Sequence, residues 1–194
     1  MIIIPVVIVL GVVLVWIFSN YNFFVSSKAR IKAAVQEIGN QLKRQSDLIP
    51  NLEESTKGYL SHEKGIFKDL TDARKQISSA LKTNSLQEMS DAAAKMASVI
   101  PSLQVAVEDN PELKGSEVVT KLMDELRDTA DKLMYSRRLV IDLTADYNVR
   151  RVSVPSNIVA GLFKFTELMG LETPDKGEFL KVTEEETKTP KVKL

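Results

Sequence analysis

The 194-residue chain contains no cysteine. That excludes a disulfide framework, a cysteine nucleophile, a thiolate zinc site and a cysteine-held iron–sulfur cluster. It contains a single histidine, His62. A zinc peptidase helix needs two histidines four residues apart on one face, and position 66 is Ile66. A ferritin-like dimetal centre needs paired Glu-x-x-His motifs, which one histidine does not supply. Glycines number only 8. None forms a Gly-x-Ser-x-Gly nucleophile elbow or a phosphate-cradling loop. There is no charge of one sign to spare: 26 basic and 26 acidic residues give a formal net charge of +0. A nucleic-acid-binding domain carries a basic excess or stripe, so no nucleic-acid partner is expected. Period-two alternation is absent, which leaves no expected strand.

What the chain does have is an uncharged, apolar start. No charged side chain occurs before Lys28. The run holds Ile2, Ile3, Ile4, Val6, Val7, Ile8, Val9, Leu10, Val12, Val13, Leu14, Val15, Trp16, Ile17 and Phe18. A bilayer core of about 30 Å takes roughly 20 apolar residues rising about 1.5 Å each. Residues 1–25 reach that length and are expected to form a transmembrane anchor. Pro5 falls in the first turn, where a missing N–H costs little. Trp16 and Tyr21 fall where amphipathic rings favour the headgroup layer. A cleaved signal peptide fits less well, because no basic residue precedes the run and Trp16-Ile17-Phe18-Ser19-Asn20-Tyr21 is a poor cleavage site. Lys28, Arg30 and Lys32 follow the run closely. The positive-inside rule then predicts a single-pass cell-membrane protein with its N-terminus outside and the following domain in the cytoplasm.

Residues 26–170 read as an all-α, up-and-down, antiparallel four-helix bundle. Ile31, Val35, Ile38 and Leu42 recur at steps of three and four over residues 28–47, an amphipathic helix able to continue the membrane helix. Pro50 predicts a kink or break near residues 48–51, with Asn51 and Glu54 as a capping box for a new helix. Leu52, Tyr59, Ile66, Ala73 and Ala80 lie seven apart, with Leu70 and Ile77 as a second seam position, so a coiled-coil-like helix is expected to end near residues 82–84. Ser85 and Glu88 form the capping box of a third helix ending near Asp109. Asn110-Pro111-Glu112-Leu113-Lys114-Gly115 is a turn. A fourth helix over residues 117–151 carries the seam Leu122, Leu126, Thr129, Leu133, Val140, Thr144, Tyr147. Val154-Pro155-Ser156-Asn157 ends it, and a short apolar helix over residues 158–168 follows, capped by Ser156 or Asn157. This helix either closes the core, the favoured reading, or shows an apolar face to a partner or the bilayer surface. Residues 171–194, with Pro174, Pro190 and Glu184-Glu185-Glu186, read as a disordered charged tail.

Few residues carry chemistry. His62-Glu63 reads as a polar pair at the bundle edge. Arg137-Arg138 is a candidate anion or partner site, although such residues more often form a solvated face. Lys43-Arg44 could meet anionic lipid, or simply water. No cofactor and no metal are expected.

Several blocks together resemble the LemA family. Gln41-Leu42-Lys43-Arg44-Gln45-Ser46-Asp47-Leu48-Ile49-Pro50-Asn51-Leu52 resembles the family's QLKRRxDLIPNL signature. Lys57-Gly58-Tyr59 with His62-Glu63 resembles its KGYxxHE. Thr71-Asp72-Ala73-Arg74, Asn110-Pro111-Glu112-Leu113-Lys114, Glu125-Leu126 with Thr129, Lys132 and Arg137, Tyr147-Asn148, Pro155-Ser156-Asn157 and Phe163-x-Phe165 follow its later blocks. There are departures: Val35 stands at a usual Trp, Gln45 at a usual Arg, Ala130-Asp131 at a usual Glu-Asn, and Val140-Ile141 at a usual Tyr-Asn. The resemblance implies a bacterial membrane protein with an N-terminal anchor, a long-helix bundle and no established catalytic activity. Members are often encoded beside a membrane zinc metallopeptidase, which implies envelope maintenance.

The expectation is therefore a non-enzymatic scaffold or adaptor at the cytoplasmic membrane face, bound to the bilayer and to membrane or envelope proteins. One alternative is a self-associating, membrane-organising protein. Another is an enzyme or ligand sensor with a polar site between helices, drawn from Glu63, Arg74, Arg137, Arg138, Asn148, Pro155, Ser156 and Asn157.

Overall fold

The structure, a computed structural model, describes residues 3–59 and 64–171. Among them are six helices and no strand: α1 (Ile3–Thr56), α2 (Lys64–Thr83), α3 (Leu86–Glu108), α4 (Pro111–Lys114), α5 (Glu117–Val152) and α6 (Ser156–Leu162). Of the tail expected over residues 171–194 only Leu171 is described, and it is buried; residues 172–194, His62-Glu63 and Ile2 lie outside the described residues.

The expected all-α architecture is present. Helix α1 has 54 residues, about 81 Å at 1.5 Å per residue. Helix α5 packs antiparallel along it, and the α2–α3 hairpin covers its distal half. Apolar side chains stack in three tiers along α1. The distal tier joins Ile49, Leu52, Leu70, Met96, Leu103, Leu113 and Leu126. The middle tier joins Ala34, Ile38, Leu42, Ile77, Ala92, Leu133 and Val140. The tier nearest the apolar N-terminal stretch joins Phe24, Tyr147 and Ala160. These positions recur at three- and four-residue steps on every long helix, the period that keeps one stripe facing the core.

Of the two outcomes expected at Pro50, a kink or a break, the structure excludes the break, and it also corrects the cap expected at Asn51. Helix α1 does not break at residues 48–51; it runs through Pro50 to Thr56, and Asn51 caps nothing. An internal proline removes one backbone hydrogen bond and costs about 3 kcal/mol. Ile49 and Leu52 flank it and are fully buried, and each contributes about 1.5–3 kcal/mol. Packing therefore outweighs the proline. The break comes at residues 57–59, where the Tyr59 N–H closes a turn on the Thr56 carbonyl at 3.0 Å. Consequently the seven-residue series is not one helix. Leu52 belongs to α1, Tyr59 is half exposed in the turn, and only Ile66, Ala73 and Ala80 share α2. Pro50→Ala should restore the missing bond and raise the melting temperature, by up to about 3 kcal/mol of stability. A lower melting temperature would show that the ring itself fills a needed space.

Helix ends follow side-chain chemistry more closely. The Glu88 N–H donates to Ser85 Oγ at 3.4 Å, as the spacing predicts. The Glu88 carboxylate, however, accepts from Thr83 Oγ1 at 2.6 Å, tying the α2–α3 turn together. Asn110 Oδ1 accepts from the Glu112 and Leu113 N–H groups, so the 110–115 connection contains the single turn α4. Ser116 caps α5 by accepting from Val119 N–H at 3.4 Å.

Candidate functional site

The residues singled out in the sequence do not gather into one site. Arg74 lies exposed on α2. Arg138 points into solvent on α5, its side chain 83% exposed, 3.7 Å from Asp142 one turn on. Such an exposed pair contributes little to stability. Arg137 faces inward, half-buried, on a small cavity of about 280 Å³ that Gln45, Ala93, Ala97 and Asp131 also line. Gln45 Oε1 and Arg137 Nε are buried there without a hydrogen-bond partner. Gln45, Gln41 and Thr129 form a polar layer between the distal and middle tiers. An unsatisfied buried amide oxygen costs about 1–3 kcal/mol, so this layer is one place in the bundle where sequence and stability pull apart. Lys43 is exposed, and Arg44 pairs with Glu125 across α1 and α5.

The remaining candidates cluster at the other end, around Tyr147. Asn148 clasps the segment after α6: its Nδ2 donates to the Leu168 carbonyl at 2.8 Å, and its Oδ1 accepts from the Leu168 N–H at 3.1 Å. The Tyr147 hydroxyl donates to the Thr166 carbonyl at 3.0 Å. The Tyr147 ring meets Phe24 edge-on at 5.4 Å, and Phe24 stacks on Phe165 at 4.8 Å. So Tyr147-Asn148 and Phe163-x-Phe165 belong to one contact region, which folds the segment after α6 back onto α1 and α5. Gly170 lies against Thr144; a Cβ added there would meet the threonine methyl at 3.3 Å.

Ser156 is not the cap it was expected to be. It is the first residue of α6, and its hydroxyl turns backward to the carbonyls of Arg150 and Ser153, at 2.7 and 3.0 Å. It thereby satisfies carbonyls that the end of α5 leaves without helical partners. Pro155 is exposed at the N-cap position, with no side-chain cap bond. Asn157 is half-buried, its N–H bonded to the Ser153 carbonyl at 2.8 Å and its Oδ1 without a partner. The short helix also ends earlier than expected, at Leu162. It divides the two readings of its apolar residues between its faces: Val159 and Ala160 are buried, whereas Ile158 and Leu162 are exposed.

Sequence reasoning missed a third group. Asn20, inside the apolar run, is 2% exposed. Its Oδ1 accepts from the Arg150 guanidinium at 3.1 and 3.3 Å, and its Nδ2 donates to the Trp16 carbonyl at 2.8 Å. The same guanidinium lies over the Phe23 ring at 4.0 Å. The polar cluster Ser19-Asn20-Tyr21-Asn22 within an otherwise apolar stretch was the available signal.

Burial raises the Tyr147 phenol above its ordinary range, and the nearby Arg151 charge opposes this weakly. The unfolded phenol ionises near pH 10, while the folded one holds its proton longer. Stability should therefore be intact below about pH 10 and fall as pH rises past it. Thermal melts across that range should show the loss, and Tyr147→Phe should flatten it, at a cost of about 0.5–1.5 kcal/mol at neutral pH for the lost hydrogen bond.

A bundle of long antiparallel helices extending from one apolar N-terminal helix defines the class: an all-α protein built on a candidate membrane helix. The LemA family model matches residues 34–194, and the chain belongs to the LemA family. This is not a known enzyme family. No curated protein matches the chain. Among the described residues no group of three or more histidine, cysteine or carboxylate side chains is arranged to hold a metal ion.

Proposed function

We propose that this chain is a non-enzymatic scaffold of the bacterial cell membrane, holding its bundle at the cytoplasmic face for partner proteins. One observation carries the reading. The exposed apolar stretch and the bundle's central strut are the same helix, α1. Residues 3–15 are exposed to the last side chain, and a window long enough to cross a bilayer is almost wholly unburied by protein. Each Leu, Ile, Phe or Val in such a window favours insertion by roughly 0.3–0.6 kcal/mol, so the run sums to several kcal/mol. Lys28, Arg30 and Lys32 favour a cytoplasmic bundle. Anchoring raises the bundle's effective concentration for membrane and envelope proteins without any new contact. The motif blocks make structural contacts, Arg44 with Glu125 and Tyr147-Asn148 with the closing segment, which fits a framework better than a reaction centre.

In-cell photo-crosslinking from exposed bundle positions tests this. The scaffold reading expects one or two reproducible membrane partners that disappear when the anchor is removed. Capture of nothing under conditions that crosslink a known membrane complex would contradict it. A second reading, self-association, is favoured by an apolar groove between α1 and α5 beside Tyr135, Leu139 and Leu143, with Tyr135 69% exposed. Crosslinks only between copies would select it.

A further inference from the structure

The register of α5 on α1 is constant. Arg44 meets Glu125, Phe24 meets Tyr147, and Asn20 meets Arg150. Paired residue numbers thus sum to roughly 170, and continuing that helical register by sets Val152, the end of α5, opposite Phe18. The bundle therefore overlaps the uncharged stretch in height. Burial agrees: Trp16 and Ile17 are half-buried, while Val15 and Phe18 beside them are exposed. Helix α6 starts at this level and packs on α1, with the Phe163 ring 4.8 Å from Tyr21.

The outer face of this end is apolar. No residue of α6 is charged. Val154, Ile158 and Leu162 are 81%, 65% and 68% exposed. Ile158 and Leu162 are one turn apart and share a side of the helix, opposite the buried Ala160. Cations lie at this end of the bundle: Lys164 follows α6, Lys28 sits 5.4 Å from the Phe165 ring, and Arg150 lies over Phe23. An apolar face at a bundle end that also carries lysine, arginine and aromatic rings has the composition of an interfacial membrane element. Continuity with the exposed apolar face of α1 selects the bilayer as its occupant over a second protein.

We infer that the α5–α6 turn and α6 form a second, shallow membrane contact, with Val154, Ile158 and Leu162 entering the headgroup–acyl boundary of an anionic leaflet. This rests on the reading that α1 spans the bilayer. With two contacts, the bundle no longer turns freely about α1; one side of it faces the membrane and the other faces partners. The exposed Lys28 and Lys164 meet lipid phosphates.

The absence of cysteine allows single labels. Full-length Val12→Cys, Ile158→Cys, Leu162→Cys and Val118→Cys proteins, each carrying an environment-sensitive fluorophore, are placed in vesicles of phosphatidylcholine and phosphatidylglycerol. Quenchers are carried on the lipid chains near the headgroup or near the bilayer centre. The expected result is quenching at position 12 by the deep quencher, and at 158 and 162 several-fold more by the shallow quencher than at the distal position 118. Labels at 158 and 162 that behave like 118, with 12 still quenched, would overturn the second contact and leave the anchor standing. Loss of quenching at 12 as well would overturn both. Shielding of 158 and 162 from water-borne quencher without lipid quenching would assign the face to a second copy and also overturn the proposal.

Discussion

Removing residues 1–18 is expected to move the protein from the membrane fraction to the soluble fraction without unfolding it. Among the described residues lost, nearly all are exposed and apolar, and only Trp16 and Ile17 are half-buried. The packing that holds α1 in the bundle begins at Asn20 and continues through Phe24, Ser27 and Ala34, all retained. The thermal melt should therefore shift little, while resistance to carbonate extraction should vanish. Weak, salt-sensitive binding to anionic vesicles should survive through α6 and its neighbouring cations, since charge attraction to lipid is screened by added salt. If the truncated protein stayed in carbonate-washed membranes, α1 would not be the anchor. If it lost its helical melt, the exposed run would be part of the folded unit.

Tyr147→Ala should be among the most damaging single changes. Tyr147 is fully buried, holds Phe24 by an edge contact and reaches the Thr166 carbonyl. Truncating a buried aromatic side chain costs about 3–5 kcal/mol, because a cavity remains where the ring was. In a domain of this size each kcal/mol is about 2–4 °C, so a fall of roughly 10 °C in the melting temperature is expected. Hydrogen exchange should localise the damage: amides of α6 and the segment after it should lose protection before those of α2 and α3. Uniform loss across all helices would mean the bundle melts as one unit and that the Tyr147 clasp is not a separate layer.

Much of this fold was legible in residue spacing. Helices α3 and α5 begin where Ser85 and Ser116 offer cap oxygens, and the α5 seam from Leu126 to Tyr147 is buried as its period requires. Helix α1 was less legible, for a specific reason. Its core stripe runs Asn20, Phe24, Ser27, Ile31, Ala34, Ile38, Gln41, Gln45, Ile49, Leu52, Thr56, at steps of three and four. Five of these are polar, so a search for apolar residues alone saw fragments. It also let Pro50 outrank packing, although Ile49 and Leu52 hold the helix on both sides of it. The candidate site was legible only as residue types. That Arg137 meets the Gln45 layer, while Asn148, about three turns further along α5, and Ser156, beyond its end, bind backbone, depends on pairing between helices that no single segment encodes.

The central claim is that one uninterrupted helix carries the bundle out of the bilayer. Spin labels at Val15→Cys and Lys43→Cys, both exposed positions of α1, test it in the full chain reconstituted in nanodiscs. A continuous helix puts these positions about 42 Å apart along its axis, at about 1.5 Å per residue, and the measured distance distribution should be narrow and centred near that value. A broad distribution, or one centred well short of it, would show a hinge where α1 leaves the membrane and would contradict the claim.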